Sequence, residues 1–342
     1  MEEGISAVLI VKNEQKLLGR CLKSLIGFDE IIVLDTGSTD KTVQVARDHG
    51  AKVSVSEPIV PFHFAEARNR ANALASNDWI LVMDADEVLR PGAIRKIRLA
   101  MSNRPDATAM EVTFIDQPAG TKNRTVAIQK IKIFRRSAWS WRLRIHEQLF
   151  PTREPAVGID LSSVTIEHLP DADKTVRHGQ NIELLRLCIH ENPEHARAFK
   201  HLGQELMMRK EWSDAIPYLA ECVQKNQEGP LERSEVMVNL GRCYAETGRL
   251  QPEGLKWFDF AWEADQRRRE PLYWAAWYLI AQAKIAGDLI KASEYLRRVI
   301  AIPEASRPMT HLDAPHVWGL EPRRMLSFCK EQIQQATPAP GH

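Results

Sequence analysis

Shifted along itself by about 38–39 residues, the second half of this chain matches itself, and few architectures accommodate such a repeat. Leu202-Gly203 falls on Leu240-Gly241, while Tyr218-Leu219, Trp257-Phe258 and Tyr295-Leu296 share one register. Lys210-Glu211, Gly248-Arg249 and Gly287-Asp288 align where paired helices should turn. A short unit with large and small side chains at fixed offsets cannot bury its apolar face alone, so it must stack on its neighbours. Helical hairpins are therefore expected over 173–305, with the aligned aromatics as core.

The first half has another texture. Ile5 to Val11, Glu30 to Asp35, Lys52 to Val55 and Trp79 to Met83 are apolar runs of strand length. Helical patterns separate them over Gln15 to Ile26, Asp40 to His49 and Glu66 to Ala75, the first two stopped by Gly27 and Gly50. Pro91 is expected to open a helix running to Met101, followed by strands over Ala109 to Phe114, Gln129 to Phe134 and Ser163 to His168. This is a nucleotide-binding α/β layout closing near residue 172. A length of 342 residues requires more than one core, and 44% hydrophobic with 27% charged residues excludes a disordered chain. The net charge of +1 excludes a nucleic-acid coat, so no nucleic-acid partner is expected. Five cysteines without metal or redox spacing point to a reducing cytoplasm, and neither a signal peptide nor a membrane span is expected.

Chemistry is expected at the strand ends. Met83-Asp84-Ala85-Asp86-Glu87 follows a buried strand, and if the chain stays extended Asp84 and Asp86 face one side. Two hard oxygen donors suit Mg²⁺ or Mn²⁺ with phosphate oxygens completing the shell. Asp171-Ala172-Asp173 repeats the triplet after Pro170 with no strand before it, and reads as a solvated turn. Asp35 ends the second strand before Thr36-Gly37-Ser38-Thr39-Asp40, where Thr39 or Asp40 can cap the next helix. Lys12-Asn13-Glu14 ends the first strand, so three neighbouring strand ends carry acids.

With Val11-Lys12-Asn13-Glu14, Glu30 to Asp40, Ala67-Arg68-Asn69 and Asp78 to Glu87 in this order, the chain resembles the inverting family 2 glycosyltransferases of GT-A fold. Within that family it is similar to bacterial members with a tetratricopeptide-like helical tail, among them lipopolysaccharide-core β-glucosyltransferases and sublancin-type peptide S-glycosyltransferases. The resemblance implies a GT-A domain with a Rossmann-like mixed sheet over 1–172, and a segment over 306–335 that packs back on the catalytic or helical domain before a disordered tail, 336–342. It implies that Asp35 bonds the base of a nucleotide-sugar, that Glu14 and Arg68 lie along the nucleoside, that Asp84 approaches the ribose and that Asp86 holds Mn²⁺ or Mg²⁺ on the diphosphate. His168 is implied as a further metal ligand. Glu147 is implied as the base that deprotonates the acceptor, with His146 as its orienter or a second ligand, after Phe134-Arg135-Arg136, Trp139, Trp141 and Arg144. The donor expected is a UDP-sugar, and the acceptor a glycan, glycolipid or peptide.

Between Asp116 and Glu147 stand eight basic residues and no acid, namely Lys122, Arg124, Lys130, Lys132, Arg135, Arg136, Arg142 and Arg144. They read either as a solvated face or as an electropositive lip that steers an anionic ligand, compatible with peripheral membrane contact. Trp139 and Trp141 alternate with polar residues and offer a face for a sugar ring. Trp318-Gly319-Leu320-Glu321-Pro322 resembles a segment of the same subfamily, but Arg323-Arg324-Met325 departs from its pattern and leaves the acceptor open. His311 and His316 read as structural. A helical-repeat surface serves acceptor selection or homodimerisation equally. Two competing classes are weaker: a nucleotidyltransferase lacks its glycine-rich loop after the first strand, and a non-catalytic scaffold should have lost the acids that are present.

Overall fold

The computed structural model describes residues 3–116, 126–171, 181–227, 229–306 and 315–336. The chain divides into two compact units, Met1–Val176 and Arg177–His342.

In the first unit, strands β1 (Ile5–Val11), β2 (Glu30–Asp35), β3 (Lys52–Val55), β4 (Trp79–Met83), β5 (Glu87–Leu89), β6 (Ala109–Asp116), β7 (Val126–Arg135), β8 (Trp139–Arg142), β9 (Gln148–Pro151) and β10 (Gly158–His168) accompany helices α1 (Leu18–Ser24), α2 (Thr42–Asp48), α3 (Phe64–Ala73) and α4 (Ala93–Asn103). Eight strands form one mixed sheet in the order β3-β2-β1-β4-β7-β6-β10-β5, and β8-β9 form a separate hairpin. The first four strands pair in parallel, while β7 is antiparallel to both β4 and β6. Ile5, Leu9, Trp79, Leu81 and Ile97 are fully buried on one face of the sheet, and Val8, Ile80 and Phe134 belong to a second cluster. A strand covered on both faces must be apolar throughout, which is why β4 reads WILVM without alternation. Register puts Asp35 level with Val11, and Met83 level with Leu9, so the carboxyl ends of β1, β2 and β4 share one edge. β2 and β4 leave β1 on opposite sides, and such a switch point opens a crevice for ligands.

Two expectations need correction. Residues 84–87 are a turn, with the Glu87 N–H donating to the Asp84 carbonyl, so the chain is not extended there. Pro91 precedes α4 instead of opening it, because Gly92 at φ 81° sits between them as the N-cap.

The second unit is helical throughout its described residues: α5 (Ile182–Glu191), α6 (Ala196–Met208), α7 (Trp212–Lys225), α8 (Pro230–Glu246), α9 (Leu255–Ala264), α10 (Glu270–Ala281), α11 (Ala286–Ala301), α12 (Pro315–Trp318) and α13 (Glu321–Ala336). The repeat is visible as packing, since Leu219, Phe258 and Leu296 are fully buried at equivalent places in α7, α9 and α11. Gly203 and Gly241 let the paired helices approach: a Cβ on Gly203 would lie 2.5 Å from Leu219, and one on Gly241 2.7 Å from Phe258. Lys210 and Gly248 both turn the chain with positive φ, at 62° and 76°. The third aligned pair does not do so, because Gly287 lies inside the first turn of α11. Trp318 is buried in this unit's own core, where its indole N–H donates to Glu270 (3.3 Å) and Arg269 stacks on its ring. Tyr273 donates to Glu321 (2.8 Å), so the segment around Pro322 packs on the helices that precede it. His316 meets Tyr273 edge-on, whereas His311 and the tail 337–342 lie outside the described residues. No helix among the described residues is long and apolar enough to cross a membrane.

Candidate active site

The centre of the strand-end edge is Arg68, on α3. Its Nε donates to Glu147 Oε1 (2.6 Å) and its Nη2 to Asp84 Oδ1 (3.0 Å), while the guanidinium lies 5.1 Å from the centre of the Trp141 ring. Burial alone would lower the guanidinium pKa, but the two carboxylates hold it well above the ordinary value. Burial alone would likewise raise the Asp84 carboxyl, yet Arg68 and then Lys132 hold it well below the usual carboxylate range. One cation thus joins a group at the end of β4 to one in the loop between β8 and β9.

Asp84 and Asp86 take different partners, as the turn dictates. Lys132 Nζ lies 3.9 Å from Asp84, whereas Asp86 Oδ2 lies 3.4 Å from His168 Nε2. The other ring nitrogen of His168 is 2.7 Å from Asp116 Oδ1. Hydrogen bonding to Asp86 and Asp116 outweighs burial and raises the His168 pKa to about 9, so a proton sits between acids. A divalent ion would replace that proton. Asp86 and His168, an oxygen and a nitrogen donor 3.4 Å apart, would be ligands to such an ion, and an outer carboxylate on the far imidazole nitrogen is the common support for a histidine ligand. Among the described residues no cluster of three or more His, Cys, Asp and Glu could hold a metal, so the fit is to an ion that draws its remaining ligands from phosphate and water.

Asp35 is 2% exposed at the end of β2. Its Oδ1 accepts from the N–H groups of Gly37 (3.1 Å) and Ser38 (3.0 Å), and its Oδ2 is buried with no partner among the described residues. An unsatisfied buried carboxylate oxygen is costly and calls for a donor. Arg68 Nη1 and Trp141 Nε1 are likewise buried and unpartnered. Glu14 starts the turn into α1, its N–H donating to Thr42 (2.7 Å) and its carbonyl accepting from Leu18 (3.0 Å). His146, beside Glu147, has left-handed backbone at φ 53°.

The basic run divides instead of forming one face. Lys132 is 7% exposed and binds Glu87 at 2.7 and 2.8 Å, Arg135 stacks on Trp79 and pairs with Glu3, and Arg144 donates to the carbonyls of Pro61 and Phe62. Lys122 and Arg124 lie outside the described residues. Trp139 and Trp141 are half-buried against the sheet core, and Trp139 donates to Thr108 (3.2 Å). In the second acidic triplet Asp171 lies 3.6 Å from Lys16, while Ala172 and Asp173 lie outside the described residues. Sequence reading named Lys132 in the basic run and Glu87 and Asn69 within motifs, but assigned neither them nor Asp116 a partner. A signal existed for Lys132: it alternates with Ile131 and Ile133 inside a strand, where a charged side chain must meet an acid.

An open α/β sheet with acids and one bridging arginine at its strand-end crevice is a layout suited to holding a ligand at the switch point. Residues 6–155 match the family model described as Glycosyl transferase family 2. The first unit is thus similar to family 2 glycosyltransferase domains over residues 6–155, and helical hairpins follow it. Over 117 residues it is 43% identical to a TPR repeat-containing protein of Synechococcus elongatus, an overlap of 34% of this chain and 28% of that protein. Over 88 residues it is 43% identical to an uncharacterized glycosyltransferase of Rickettsia felis, covering 25% of this chain and 30% of the relative. The chain thus spans under a third of the length of either. Glucosyl-3-phosphoglycerate synthase from Mycobacterium tuberculosis, solved with Mn²⁺, uridine diphosphate and glucosyl-3-phosphoglycerate, is 28% identical over 33% of this chain and 44% of that one, with a TM-score of 0.29.

Proposed function

We propose that this chain is a metal-dependent inverting glycosyltransferase that moves a sugar from a nucleotide-sugar, a UDP-sugar, to a glycan, lipid-linked or peptide acceptor. The observation that carries the reading is the Arg68 bridge, which links a donor-side carboxylate, Asp84, to an acceptor-side carboxylate, Glu147. The unpartnered Asp35 Oδ2 supports it, since an N–H of a pyrimidine base is the kind of donor that atom lacks.

In this reading Glu147 Oε1 is held by Arg68 and Oε2 takes the proton of the acceptor nucleophile. The nucleophile's electron pair forms the new bond to the anomeric carbon from the face opposite the diphosphate, and the bond from that carbon to the diphosphate oxygen breaks with its pair leaving on the oxygen. Asp86 and His168 would hold the Mn²⁺ or Mg²⁺, which when bound neutralises charge on the departing diphosphate. Asp84 stands beside the ribose and Glu14 beside the nucleoside. The helical unit selects the acceptor or joins two copies of the chain. We place the protein in the cytoplasm, where nucleotide-sugars are made.

Thermal stabilisation by a panel of nucleotide-sugars with Mn²⁺ or with EDTA tests the donor, because a ligand of the native state raises apparent stability with its affinity. A metal-dependent shift with one UDP-sugar is expected, and no shift with any nucleotide would return the chain to the scaffold class. Asp86→Ala should abolish metal-dependent donor turnover in folded protein. Glu147→Gln should leave donor binding intact while transfer collapses, and equal loss of both would make Glu147 a binding residue.

A further inference from the structure

The segment that presents Glu147 is strained. Leu143, 3% exposed, has φ 75°, and His146 has φ 53°, so both ends of the short stretch before Glu147 are left-handed without glycine. Such backbone is unfavourable for a branched side chain and persists only where its surroundings impose it. β9 covers β8 on one side only, which leaves outward backbone groups in need of partners.

Asn69 supplies them at one residue. Its Nδ2 donates to the Trp141 carbonyl (2.9 Å) and its Oδ1 accepts from the Trp141 N–H (3.0 Å), so a side chain on α3 acts as a short strand against β8. The neighbouring Arg68 lies over the same tryptophan's ring and reaches Glu147. At the first residue of α3, the Arg144 carbonyl accepts from the Phe64 N–H (2.7 Å). Helix and hairpin are therefore joined on both sides of Leu143.

We propose that Asn69 is a positioning residue for Glu147: by fixing the backbone of Trp141 it holds the strained loop where Glu147 meets Arg68. The proposal rests on the reading of Glu147 as the acceptor's base. Asn69 itself makes no contact with the reacting atoms. It acts through distance, because a carboxylate displaced by an ångström loses much of its advantage in proton transfer.

The test is a double-mutant cycle in the full chain, with Asn69→Ala, Glu147→Gln and the pair. Release of nucleoside diphosphate from the nucleotide-sugar donor, with water as the sugar acceptor, is followed with Mn²⁺ present. Asn69→Ala is expected to lower kcat by about 10- to 100-fold with donor KM changed less than about twofold, and to add nothing in the Glu147→Gln background. Hydrogen exchange should rise at residues 141–147 and stay unchanged in β1 and β4. Multiplicative losses, a KM effect equal to the kcat effect, or unchanged exchange in the loop would each overturn the inference. Wild-type protein that releases no nucleoside diphosphate from any donor would instead overturn the reading beneath it. Where Asn69→Ala does not fold, Asn69→Ser, which stays polar but is one bond too short for the paired contacts to Trp141, goes through the same cycle.

Discussion

The tight places of the two units are built from opposite materials. In the first, Lys132 and Glu87 are 7% and 2% exposed beside the strand ends, and Glu87 Oε2 also accepts from the Asp84 N–H (3.0 Å). Burial raises the Glu87 pKa, and Lys132 only partly offsets that. In the second, the tight places are Gly203 and Gly241, where leucine and phenylalanine side chains meet bare backbone. A helical repeat needs only shape, so it uses small against large. The strand edge holds buried charge at a cost in stability, and in the proposed function that charge faces the anionic donor.

Breaking the buried pair gives the largest expected effect. Lys132→Met leaves the buried Glu87 without its cation, and should cost about 3–5 kcal/mol in urea unfolding, whereas Lys132→Met with Glu87→Gln should regain most of it. A single-variant loss under about 1 kcal/mol would show that Glu87 is not held as a buried charge. Next comes the seam of the second unit. Gly241→Ala gains helix propensity but drives a methyl into the fully buried Phe258 ring, for an expected net loss of about 1–3 kcal/mol, relieved by Phe258→Leu. Thermal unfolding of the two single variants and the pair measures it, and additive effects would remove the contact as the cause.

The smallest effect is a change in pH dependence. Burial alone would raise the Glu30 pKa, but Lys52, the Ser76 N–H and hydroxyl, and Ser6 lower it to about 2 from an ordinary 4.5. A lowered carboxylate pKa contributes stability that is full above pH 4.5 and is lost as pH falls toward 2. Glu30→Gln should flatten that part of the acid limb and leave the slope above pH 6 alone. An unchanged acid limb would assign acid sensitivity to other carboxylates.

Local pattern made some of this readable and hid the rest. The bounds of β1 and β4 follow from apolar runs ending at polar residues, because a strand buried on both faces tolerates little else, whereas β3 is a partly exposed edge strand. β5, β8 and β9 have three or four residues each and no alternation long enough to register. Asp84 and Asp86 were legible as a motif but not as geometry, since the turn that separates their partners depends on Glu87 reaching back to Asp84.

What the sequence determined by itself was the pair of architectures, through two periodicities, and the edge where the acids gather, through residues that end apolar strands. Only the tertiary structure decided that Arg68 joins Asp84 to Glu147, that Lys132 is buried and that Asn69 grips Trp141. Periodicity is a property of neighbours along the chain and survives in a string of letters. A bridge between residues 68 and 147 depends on how a helix and a hairpin meet, and nothing local to either end encodes it.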